Sequence, residues 1–206
     1  MLLSSLGCEA TTHKTGPVRT EVAHTSAHID PYVLKDSILT DKDFEKMDWH
    51  DVQIHAIAMA NEFPRLVELL LDLDYIIQWV DPRPPEEYHN FWLAPATLVF
   101  ENVSELNIRL QTEQLECQID EMKRDARMTP SGVLIWQWTL SLHQGEISFW
   151  STGYKQYFRQ RPIFHKKQHL SLDERGGISF GRDLMPAADD SSHSSTHTTR
   201  QEESRV

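Results

Sequence analysis

From Leu69 to Val80 the chain places Leu69, Leu71, Leu73, Tyr75, Ile77 and Trp79 at every second position, with Leu70, Asp72, Asp74, Ile76, Gln78 and Val80 between them. Successive side chains of a strand point to opposite sides of a sheet, so this period makes one face wholly apolar and the other mixed. It predicts a strand in an antiparallel sheet, with one face on a core and the other at least partly wet. Two apolar runs flank it, MDWHDVQIHAIAM before and FWLAPATLVFENV after.

The rest of the chain follows the same pattern. Asp41 to Lys46 suits a brief helical turn leading into a strand at Val52–Met59, and Phe63-Pro64 marks a reversal, because proline biases the preceding residue toward extended geometry. Asp81 to Pro85 reads as a stiff loop. The next run is expected to split at Pro95, leaving Ala96–Val103 as the strand. Leu106, Ile108 and Leu110 alternate with polar residues and predict another strand, with helix as the alternative. Leu115–Met122 fits strand and helix equally, and Lys123–Gly132 reads as a polar connection. Leu134, Trp136, Trp138, Leu140 and Leu142 share one face of a strand that turns at His143–Glu146 and returns through Ile147–Ser151. Asp173–Gly177 reads as a late turn. The expected fold is α+β, mostly antiparallel β-sheet, in a single domain of six to eight strands.

Composition sets the limits of that domain. Ser191 to Val206 reads SSHSSTHTTRQEESRV, which offers too little apolar surface to offset the entropy of ordering it. Residues 9–30 are nearly as poor, although Pro31-Tyr32-Val33-Leu34 is able to dock. The expected organisation is a mostly disordered segment at 1–40, a β-rich domain at 41–180 and a disordered tail at 181–206. The net charge of −11 opposes binding to nucleic acid or anionic membrane. Acids dominate Asp41–Asp125 and bases dominate Ala126–Arg182, so the two halves are expected to pair their charges across one fold. The two cysteines, Cys8 and Cys117, stand in different contexts, which fits a reducing compartment rather than a disulfide. The start, MLLSSLGC, lacks the positive n-region and the length of a signal peptide, and no apolar run is long enough to span a bilayer. A cytoplasmic protein is expected, with no cofactor.

Two constellations carry chemistry. In the first, Asp51, His55, Asp72 and Asp74 offer the imidazole and carboxylate ligands that zinc, manganese or iron accepts, and a hairpin would bring the pairs together. His50 would point the other way unless a bulge intervened. The spacing matches no specific metal motif. The alternative is structural: Asp51 caps the chain entry, His55 lies on the surface, and the acidic pair keeps an exposed face soluble. In the second, Tyr154, Tyr157, Arg159 and Arg161 belong to an aromatic and basic run. Such a run stacks bases, covers a sheet edge or meets a protein. Trp92, near a loop, adds a candidate partner anchor. No nucleophile elbow, Walker loop or dinucleotide fingerprint is present in the sequence.

Trp49-His50-Asp51, Asp72-Leu73-Asp74-Tyr75-Ile76 with Trp79, and Phe91 through Val103 together resemble a family of small, uncharacterised bacterial β-rich proteins. The resemblance spans the expected folded region and neither tail. In size and acidic, β-rich character such proteins are similar to immunity proteins that neutralise bacterial toxins, an architectural analogy. It implies a noncatalytic protein-binding module with a basic protein partner and transfers no catalytic residue. The competing class is a metal-dependent enzyme using the His/Asp cluster. Oligomeric state is not legible.

Overall fold

A computed structural model describes residues 30–61, 67–111 and 117–183. The expected tails at 1–29 and 184–206, the Phe63-Pro64 reversal and Cys8 lie outside the described residues. The alternating run forms a strand, β3 (Glu68–Val80), between β2 (Val52–Ala60) and β4 (Asn90–Glu101), all antiparallel. β5 (Ser104–Leu110), β6 (Gln118–Met128), β7 (Leu134–Leu142), β8 (Gly145–Ser151) and β9 (Gly153–Phe158) follow. Two short strands, β1 (Ile38–Thr40) and β10 (Ile163–His165), pair with β9 and β4.

The ladder runs β1-β9-β4-β3-β2-β6-β7-β8-β5. Because β4 runs on into β5 and β8 into β9, β4 pairing with β9 and β5 with β8 bring this order back on itself. The result is a small antiparallel barrel, an arrangement that removes most open edges. The bend where β4 becomes β5 carries left-handed backbone at Asn102 and Glu105. The interior is filled by the face that the periodicity predicts. Leu69, Leu71, Leu73 and Tyr75 point inward, and across the barrel Phe100 meets Trp138 and Phe149 with ring centroids 5.3 and 4.6 Å apart.

Five expectations are corrected. The chain is nearly all β rather than α+β: among the described residues the only helical element is one 3-10 turn, Asp41–Lys46, capped by Thr40 and Asp43. β4 does not split at Pro95. That residue's carbonyl accepts from Arg159 N–H at 2.9 Å in the gap between β9 and β10, so its missing N–H interrupts no ladder bond there. Of the polar connection expected at Lys123–Gly132, Lys123–Met128 is the second half of β6, paired throughout with β7, and only Thr129–Gly132 is a turn. Residues 31–40 are part of the fold: Leu34 packs on the core, Tyr32 lies 5.9 Å from Trp92, and Ile38–Thr40 form β1. Among the described residues ten strands stand in place of the expected six to eight. No helix among the described residues is long and apolar enough to cross a membrane.

Candidate functional site

The mixed face of β3 is dry from Leu70 to Ile76 and meets solvent at Gln78. Leu70, Asp72, Asp74 and Ile76 are all buried, the two aspartates at 0% exposure. They are covered by residues 159–183, which leave β9 and cross the outside of β3 and β4 as a strap. Leu170 packs on Ile76, Phe91 and Leu93, and Thr97 donates to the Gly181 carbonyl at 2.7 Å.

The strap brings two arginines to the two aspartates. Arg175 donates to both oxygens of Asp72, at 2.6 and 2.7 Å, and through Nε to Asp74 Oδ1 at 3.1 Å. Arg159 donates to Asp72 Oδ1 at 2.5 Å and to the Ser179 carbonyl. Ser179 N–H reaches Asp72 Oδ2 at 3.0 Å, and Leu170 N–H reaches Asp74 Oδ2 at 2.8 Å. His55 Nε2 stands 2.8 Å from the same Asp74 oxygen. Alternation from the inward Val52 and Ile54 puts this imidazole on the outer face, at a bulge between Ile54 and Ala56. Burial raises the pKa of Asp74, but the bonds from His55 and Leu170 and the charge of Arg175 outweigh it, holding the carboxyl below its ordinary value.

Of the four proposed metal ligands, His55, Asp72 and Asp74 therefore meet, and Asp51 does not join them. Asp51 sits in left-handed backbone just ahead of β2, accepting from Gln168 at 2.8 Å, with His50 and His143 nitrogens 3.6 and 3.7 Å from its oxygens. Four donors already occupy Asp72, about the acceptor capacity of one carboxylate. Among the described residues no group of three or more His, Cys, Asp or Glu is arranged to hold a metal ion. Cys117 is a half-buried free thiol, and burial pushes its pKa up, away from the reactive thiolate.

The predicted partner residues are mostly internal. Trp92 is buried with its ring 5.4 Å from Phe164, Tyr154 lies in the core with its hydroxyl donating to the Met47 sulfur at 3.0 Å, and Arg159 is held by Asp72. Tyr157 is half-buried opposite Ile38 of β1, and Arg161 is exposed. Of the aromatic and basic run, Tyr154 and Phe158 form part of the inward face of β9.

Sequence reasoning missed two residues. Arg175, read as part of a turn, is the centre of the buried network; its signal was the excess of base in the second half of the chain. Tyr88, 80% exposed, is the accessible aromatic that Trp92 was expected to be. It lies in the β3–β4 connection with exposed Asp81, Glu86 and Glu87. Pro82, Pro84 and Pro85 stiffen this loop, and a turn from Glu86 N–H to the Arg83 carbonyl closes it at 2.8 Å. Glu86 is pinned at its base by the buried Asn90 side chain, also at 2.8 Å. The run PPEEYH carried the composition of such a loop. Compared with known proteins, the chain matches no family model and no curated protein.

Proposed function

We propose that this chain is a noncatalytic protein-binding module of the cytoplasm whose acidic β3–β4 loop docks a basic protein through Tyr88. A bacterial toxin is the partner class implied by the likeness to immunity proteins. The observation that carries the proposal is Tyr88 itself: a large aromatic side chain held in water on a proline-stiffened, pinned loop that also carries Asp81, Glu86 and Glu87. Such a residue loses little conformational entropy when it is buried by a partner, and tyrosines are enriched among the residues that dominate binding. The carboxylates around it, with the net charge of −11, steer a basic surface toward the loop. The chemistry of the outer-face cluster supports the same reading, because its carboxylates are engaged by Arg175, Arg159 and backbone N–H groups rather than turned to a cleft.

Parallel capture from the native host with wild type and Tyr88→Ala tests it. A basic protein should be retained by wild type and lost by the variant at unchanged melting temperature. With that protein purified, Tyr88→Ala should weaken binding by about 2 kcal/mol or more. Glu87→Lys should slow association, with a smaller dependence on salt. Equal retention by both chains, or an acidic partner, overturns the proposal.

A further inference from the structure

The edge of β5 facing away from β8 carries no partner strand among the described residues. We propose that it pairs with the same edge of a second copy of this chain, antiparallel about Ile108.

The register follows from the hydrogen-bond parity of β5. Gln111 N–H bonds to the Gln144 carbonyl at 2.8 Å, on the β8 side. Antiparallel ladders alternate, so Arg109 and Asn107, opposite Glu146 and Ser148, also spend their backbone groups on β8. The N–H and C=O groups of Ile108 and Leu110, and of Leu106 at the bulge, are left facing outward. These are the residues whose side chains lie on the core-facing side of the sheet. Ile108 continues the row Met122–Leu140–Ile147 across paired strands, and Leu110 continues Ile119–Leu142–Gly145. The Ile108 row is buried through Ile147 and the Leu110 row through Leu142, with Gly145 half-buried, and at β5 Ile108 and Leu110 are 40% and 41% exposed. The core thus runs out to an open edge while still apolar.

A second β5 completes both rows. Pairing about a two-fold axis at Ile108 sets Ile108 against Ile108 and Leu106 against Leu110 on one face, with Asn107 against Arg109 on the other. No like charges meet, and the two central residues exchange both backbone hydrogen bonds. Natural edges that avoid such pairing carry inward charges or proline. Here the core-facing positions of β5 are leucine and isoleucine.

Two substitutions separate the backbone contribution from that of the side chain. Ile108→Pro removes an outward N–H that β8 does not use, and Ile108→Lys sets two ammonium groups opposite each other. In sedimentation velocity the full chain should be a dimer. Ile108→Lys should weaken self-association by about a hundredfold, the equivalent of losing the burial of two isoleucine side chains. Ile108→Pro should also shift the chain to monomer. Salt should strengthen the dimer, because each copy carries −11, whereas it weakens docking of a basic partner. In a chain with Cys8 and Cys117 replaced by serine, Ile108→Cys should form an intermolecular disulfide, since facing hydrogen-bonded residues stand about 5.5 Å apart at Cα. Asn107→Cys should not. A monomer at every concentration overturns the proposal. So does a dimer retained by both Ile108 variants, or a monomer whose Ile108 and Leu110 amides are protected from hydrogen exchange by another segment of its own chain.

Discussion

Arg175 is the residue on which the outer face depends. Its side chain and those of Asp72 and Asp74 are all at 0% exposure. Removing the guanidinium leaves two carboxylates in a dry site, Asp72 with Arg159 and the Ser179 N–H, and Asp74 with His55 and the Leu170 N–H. Arg175→Met should therefore cost about 3–5 kcal/mol, the usual penalty for an uncompensated buried charge, read as a lowered denaturation midpoint at neutral pH. Asp74 adds a pH signature. Its folded pKa is depressed, so its stabilisation is present above its ordinary value and lost as pH falls through the folded value. Unfolding titrations into the acid range should show a steeper loss for wild type than for Asp74→Asn, which starts less stable and lacks that titration. Equal slopes would separate Asp74 from the acid response.

At the scale of the element, the β7–β8 turn shows how closely strands meet where the barrel opens. Gly145 has φ +155, and a Cβ there would stand 1.9 Å from the Arg109 carbonyl oxygen. Backbone cannot yield as a flexible side chain does, so Gly145→Ala should separate β5 from β8 at a cost of about 1–3 kcal/mol. Faster hydrogen exchange at the Asn107 and Arg109 amides, with β3 unchanged, is the measurement that locates the damage. The glycine was legible as a turn residue in His143–Glu146, but the neighbour it accommodates, Arg109 of β5, lies 36 residues earlier in the chain. β6 has the same lesson. Its second half is polar because both of its faces near the hairpin end are largely exposed, so alternation carried no signal there. Arg124 in that half lies over the Phe44 and Trp136 rings at 4.5 and 4.3 Å, a long-range contact that sequence spacing does not encode.

At the largest scale, the described strands form a barrel fastened from outside by residues 159–183. Deleting the chain from residue 184 onward leaves every described contact of Asp72 and Asp74 in place. Deleting it from residue 169 removes Arg175, Leu170 and Ser179, and exposes the β3–β4 face with two carboxylates set in an apolar surface. The longer deletion should yield an insoluble or unfolded chain at neutral pH, and the shorter one a β-type circular dichroism spectrum with a cooperative melt. A folded longer deletion would show that the barrel stands without its strap.

What the sequence determined by itself was local. Alternation identified β3, β7 and β8 and the face each turns to the core, because side-chain direction along a strand depends only on residue parity. It could not say what lies on the other face. Asp72 and Asp74 have the pattern of a solvated strand surface, and a buried carboxylate reads the same as an exposed one until its counterion is found. That counterion is about 100 residues further along the chain, in a turn whose composition suggested surface. Tertiary structure alone decided that the wet face is a charged interior, that Trp92 and Tyr154 are core, and that Tyr88 meets solvent. Burial is a property of which segments come together, and chain distance on that scale leaves no periodicity to read.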